Sequence, residues 1–134
     1  MKKIICWATF LLICASHTLW AQSNVIVMRY IAGCQKKVTD AKFSDWQDID
    51  NTIKVVMDFD KMIIQFYNKA NTKFDLLYLI KEGKDHDGDN YLEYQAIDEE
   101  GIKCRVRLIA DKENNHVYLY AFYNNITFGF LLSY

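Results

Sequence analysis

The chain has 134 residues, 51% of them hydrophobic and 15% aromatic, with a formal net charge of −1 and no proline. A chain of this length makes one domain. Its near-neutral charge excludes the electrostatic attraction that nucleic acid or an anionic membrane surface requires.

The chain opens with the pattern of a signal peptide. Lys2 and Lys3 form the charged start, residues 4–15 form an apolar run, and Leu19-Trp20-Ala21 closes it, so cleavage is expected after Ala21. The run is short for a membrane span, which leaves an uncleaved anchor as the weaker alternative. Cys6 and Cys14 each follow an isoleucine, whereas a lipidated cysteine needs a small residue before it. Residues 22–134 are then a single domain in the periplasm or outside the cell. Removing Lys2 and Lys3 takes two of the 16 basic residues against 17 acidic ones and leaves a net −3.

The first strand of this domain is expected over 25–32, before a polar loop over 35–42. Trp46 follows in Phe43-Ser44-Asp45-Trp46 and reads as a core residue or barrel-end plug, with ligand stacking as the alternative. Alternation predicts a strand over 52–58 with Ile53, Val55 and Met57 inward, and another over 62–67 with Met62, Ile64 and Phe66 inward. It predicts a third over 74–81 with Phe74, Leu76, Tyr78 and Ile80 aligned, before a charged loop over 82–90.

Two hairpins close the chain. Ile102-Lys103-Cys104-Arg105-Val106-Arg107-Leu108 alternates apolar and basic residues, so its apolar side chains share one face of a strand. Glu99-Glu100-Gly101 fits a three-residue loop with glycine in the left-handed region. That loop pairs Asp98 with Ile102, Ala96 with Cys104, Tyr94 with Val106 and Leu92 with Leu108. On the other face it matches Glu93 with Arg107 and Gln95 with Arg105. Tyr123-Asn124-Asn125-Ile126 reads as a two-residue turn whose asparagines accept positive φ. It sets Ala121 opposite Phe128, Leu119 opposite Phe130, and Tyr120 across from Gly129. The fold class is therefore all-β: an antiparallel meander of about eight strands that closes into a barrel or a sandwich.

Chemistry is sparse. Cys34 and Cys104 are a candidate disulfide, since an exported chain keeps such bonds, with a plain core thiol at Cys104 as the alternative. Asp85-His86-Asp87-Gly88-Asp89 resembles a calcium loop but sets its glycine before the third acid, so a solvated hairpin tip is expected and no metal site. His86, His116, Ser44 and Ser133 lie in no nucleophile motif, and neither catalysis nor a cofactor is expected. Tyr118, Tyr120 and Phe122 share the face opposite the apolar one. With Trp46 they form a candidate interaction surface, unless a second layer such as the N-terminal segment covers them.

Phe43-Ser44-Asp45-Trp46, the run from Asp98 to Cys104 and the tyrosine-rich end together resemble small exported bacterial all-β proteins that are themselves uncharacterised. The resemblance implies a fold and an address, not an activity. A lipocalin has glycine two places before its early tryptophan, where this chain has Ser44. The expected function is a non-catalytic binding module of the cell envelope whose partner is a protein, a glycan or a small apolar ligand. A lipocalin-like binder with its ligand inside the barrel is the alternative. A small outer-membrane barrel is a lesser one, suggested by the alternation of Ile126, Phe128, Phe130, Leu132 and Tyr134.

Overall fold

A computed structural model describes residues 24–134, the side chains of Asp50 and Asn51 excepted; the predicted signal peptide lies outside them. Eight strands follow in chain order: β1 (Val25–Lys37), β2 (Gln47–Asp58), β3 (Ile63–Phe66), β4 (Lys73–Lys84), β5 (Asn90–Asp98), β6 (Lys103–Asp111), β7 (His116–Phe122) and β8 (Ile126–Ser133). Each pairs antiparallel with its neighbours in sequence, and β8 pairs back onto β1 to close a barrel. Among the described residues no helix forms.

Two-residue alternation sorts the side chains. On β7 every second residue is buried, and on β6 Cys104, Val106, Leu108 and Ala110 point inward while Lys103 and Arg105 stay exposed. Both predicted hairpin registers are observed, including Glu93 beside Arg107 and Tyr120 beside Gly129. Gly101 takes φ 80°, as the three-residue loop requires. Asp98 fixes that turn. Its carboxylate accepts from the N–H groups of Glu100 and Ile102 at 2.9 Å each and from the Tyr123 hydroxyl at 2.8 Å, so a buried acid is left with no unmet lone pair of consequence. The Tyr123–Ile126 turn also forms, but neither asparagine uses positive φ. The Asn125 carbonyl instead accepts from Val38 N–H at 2.9 Å, which ties this turn to the loop after β1.

The middle of the barrel is solid. Val55, Met57, Ile64, Tyr94, Ala96, Val106, Leu108, Leu119, Ala121 and Leu132 have 0% of their surface open to water, whether from outside or from an internal void. Eight strands enclose a space that side chains alone can fill, and small alanines set among tyrosine and leucine fit it. Phe66 sits within this packing, with ring centroids 4.9 Å from Phe130, 5.6 Å from Tyr30 and 6.4 Å from Phe74.

Several strands depart from the expected bounds, each for a physical reason. β4 carries irregularities after Leu76 and after Leu79. Each extra residue inverts the alternation. Tyr78 therefore pairs with Gln95 on the outside and Ile80 is exposed, against the expectation that both point inward with Phe74 and Leu76. β3 has only four residues, so β4 runs past it, and its pairing to β3 spans only Lys73 to Asp75. Lys81, Glu82 and Lys84 charge the exposed stretch, a usual defence of a strand edge. β1 reaches Lys37 and β2 begins at Gln47, so part of the expected polar loop is strand. Ile102 lies in the turn at the rim and is 49% exposed, not part of the core with Cys104.

Candidate functional site

The loop between β1 and β2 decides what the outer surface offers. Its polar residues tie it to β1. Ser44 N–H donates to the Gln35 carbonyl at 2.9 Å, Gln35 N–H donates back to Ser44 Oγ at 3.0 Å, and the Asp40 carboxylate accepts from Lys37 N–H at 2.9 Å. These bonds bring Phe43 and Trp46 down onto the outside of β7 and β8.

There the candidate surface assembles. Trp46 lies with its ring centroid 5.8 Å from Tyr118 and 6.4 Å from Tyr120, and Phe43 lies 5.6 Å from Tyr120. Tyr120 continues to Phe122 at 6.2 Å. The four sequence-predicted residues therefore do come together, and Phe43 joins them. The layer over β7 is this loop and not the N-terminal segment, which is spent as strand β1. The layer is partial: Phe43 is 37% exposed and Trp46 38%. Trp46 is therefore neither a core residue nor a barrel-end plug, against expectation; it lies on the outer wall, seated where Gly129 has no side chain. A Cβ on Gly129 would stand 2.5 Å from Cys34 Sγ and 3.1 Å from both the Trp46 and Tyr120 rings.

We expect Gly129→Ala to lift Trp46 from this seat at a cost of about 1–3 kcal/mol. A red-shifted Trp46 emission with the barrel's circular dichroism retained is the expected reading; unchanged emission would show that the seat has slack.

The ring surface continues into charge. On the outer faces of β5 and β6 the Glu93 carboxylate is 1% exposed although it lies outside the barrel. Arg107 covers it with Nε and Nη2, both 2.8 Å from Oε1, and Arg105 Nη1 donates to Oε2 at 3.2 Å. Both guanidinium groups also lie over Phe122, at 4.9 Å and 5.3 Å from its centroid, and Arg107 lies 5.3 Å from Tyr91. Cross-strand pairing of acid and base was legible in the sequence. The burial of the acid was not, because it arises from three strands stacking their outward side chains.

The candidate Cys34–Cys104 disulfide is absent, and both thiols are free. Cys104 points into the barrel among core residues. Cys34 pairs with Gly129 on the outside, next to Trp46 and Tyr120. The wall of the barrel separates them, because the irregularity in β1 between Tyr30 and Ala32 shifts which residues face in. Burial pushes the Cys104 thiol up to about 11 and the Tyr120 hydroxyl to about 12, and burial also raises Cys34. Burial, reinforced by its bond to Asp98, raises Tyr123 further.

These shifts fix the alkaline behaviour. The unfolded chain releases the Cys104 proton near 9.0 and the Tyr120 proton near 10.0, while the folded chain holds them to about 11 and about 12. The stability they contribute is whole below pH 9 and is lost as pH rises through 9 to 12. Urea midpoints are therefore expected to fall over that range, with a shallower fall for Cys104→Ala; an identical slope would remove the thiol from the account.

At one end of the barrel, Asp85, Asp87 and Asp89 bring carboxylate oxygens within 4.8 Å of one another. Asp85 spends one oxygen on the N–H groups of Asp87 and Asp89, at 2.9 Å each, which builds the tight tip around Gly88. Burial, then Asp111 and the other nearby acids, raises Asp89. His86 is exposed beside Asp87 at 3.4 Å, and His116 pairs with Asp111 across β6 and β7.

No family model, curated protein or solved structure matches this chain.

Proposed function

We propose that this barrel is a non-catalytic binding module of the cell envelope that meets its partner with its outer wall. The observation that carries the proposal is the contrast between a solid interior and a partly open outer row of rings. A lipocalin-like ligand needs an internal chamber, and here core side chains occupy that space. A barrel that spans a membrane needs an outward apolar band. This one turns Arg29, Lys54, Glu93, Lys103, Arg105 and Arg107 outward beside apolar residues such as Val27, Leu77 and Tyr78, so charge interrupts its outer apolar surface. Buried Cys104, with its thiol raised, is poorly placed as a nucleophile. Exposed rings joined to arginines are the residue types that dominate binding surfaces.

The test replaces Phe43 with a photoreactive phenylalanine analogue, with Leu77 on β4 as the control position. Both sites are exposed. Irradiating cells that make the protein should give an adduct from position 43 and none from 77. Absence of any adduct at 43, or equal adducts at both, contradicts a partner on this face.

A further inference from the structure

We propose that the partner is a neutral glycan, with one sugar unit seated in a cleft at the mouth of the barrel and the chain continuing over Trp46 and Phe43. The proposal rests on the binding-module reading and names its ligand class.

The cleft lies beside a change of strand register. Tyr30 pairs with Ile53, but the next pair is Ala32 with Asp48. The register between the two strands thus shifts beside Ile31. A cleft of about 380 Å³ opens between them and β8. That volume suits a small ligand. Two of its lining residues are glycines whose missing side chains let neighbours close in, the Tyr30 hydroxyl beside Gly33 and the Trp46 and Tyr120 rings beside Gly129.

The lining divides by chemistry. Tyr30, Phe128 and Phe130 supply rings, and Gln35, Ser44, Gln47 and Asp48 supply polar groups. A sugar unit presents the same division, with C–H bonds on its ring faces and hydroxyls at its edge. The electron-rich face of an aromatic ring attracts such C–H groups. Amides both donate and accept, as hydroxyls do, so glutamines match a hydroxyl edge better than they match a charged group.

Charge narrows the class further. Among the described residues Asp48 is the one acid in the lining and no base accompanies it, so an acidic sugar meets repulsion and no counter-charge. A lone organic cation would satisfy the rings and Asp48 but would leave the glutamine amides and Ser44 unused. Continuity favours a chain of sugars over a single small molecule. Cys34 and Gly129 line the cleft and also seat Trp46, so the outer ring surface begins beside the cleft. Along β7 it continues through Tyr120 to Phe122, 6.2 Å away.

The experiment is calorimetric titration of the purified protein with neutral hexasaccharides of glucose, mannose and N-acetylglucosamine, with hexagalacturonate, and with choline. At least one neutral hexasaccharide should bind saturably, and the last two should not. Gln47→Ala, at an exposed position that leaves the core intact, should weaken binding about threefold. Trp46→Phe should weaken it about three- to tenfold. Binding of hexagalacturonate or choline in preference to the neutral sugars overturns the proposal, as does neutral binding that neither substitution changes. If no sugar binds while the photoreactive residue at 43 still forms an adduct, the glycan assignment falls and the binding-module reading stands. If neither occurs, both fall.

Discussion

Phe66→Ala is expected to destabilise the barrel by about 3–5 kcal/mol, a large share of what a domain of this size has. The ring is 1% exposed and meets Tyr30, Phe74 and Phe130, which come from β1, β4 and β8. Its own strand explains why the loss is not absorbed locally. β3 has four residues, pairs with β2 over Val55–Asp58 and with β4 over Lys73–Asp75, and buries only Ile64 and Phe66. Removing one of two anchors leaves a short strand held mainly by its backbone bonds. Urea unfolding should show the reduced midpoint, and amide exchange should quicken first in β3 and at the start of β4. A loss below about 1 kcal/mol would mean that neighbours collapse into the space and that Phe66 does not key the packing.

Arg107→Ala is expected to cost about 3 kcal/mol, and more than Glu93→Ala, although the two substitutions break the same ion pair. The asymmetry follows from burial. Glu93 is 1% exposed, whereas the side chain of Arg107 is 30% exposed and that of Arg105 48%. Without Glu93 the arginines turn to water and keep their contacts with Phe122, which limits the loss to about 1–2 kcal/mol. Without Arg107 the carboxylate loses both of its 2.8 Å bonds and keeps only Arg105 at 3.2 Å. The double substitution should cost clearly less than the sum of the two. Equal single losses would show that Glu93 reaches water on its own.

Much of this was legible in the sequence where strands are regular. The run from Ile102 to Leu108 and the hairpin around Asn124 gave their partners residue by residue, because apolar and charged faces matched in one register only. Strand parity groups Tyr118, Tyr120 and Phe122, and the structure sets Trp46 against them, which parity alone does not indicate. What escaped has one common origin. A bulge adds a residue without any change in residue type, so nothing in Leu76-Leu77-Tyr78 marks the point where Tyr78 turns outward. The irregularity beside Ile31 likewise put Cys34 outside the wall that holds Cys104 inside, and the cleft at the start of β2 lies next to it. Phe43 was missed because its role depends on a loop whose bonds to Gln35 and Lys37 are backbone and short side-chain contacts without periodicity.

Cysteine labelling along β6 tests most directly whether the barrel is packed solid and works from outside. In a Cys34→Ser, Cys104→Ala background, single cysteines at 103, 105, 106 and 108 are treated with a water-soluble maleimide in the folded protein. Positions 103 and 105 should react at rates near those of the unfolded chain, and 106 and 108 should be slowed by orders of magnitude, with rates that recover on unfolding. Ready labelling at 106 and 108 would mean a wet or hollow interior, and ligands would then belong inside the barrel and not on its wall.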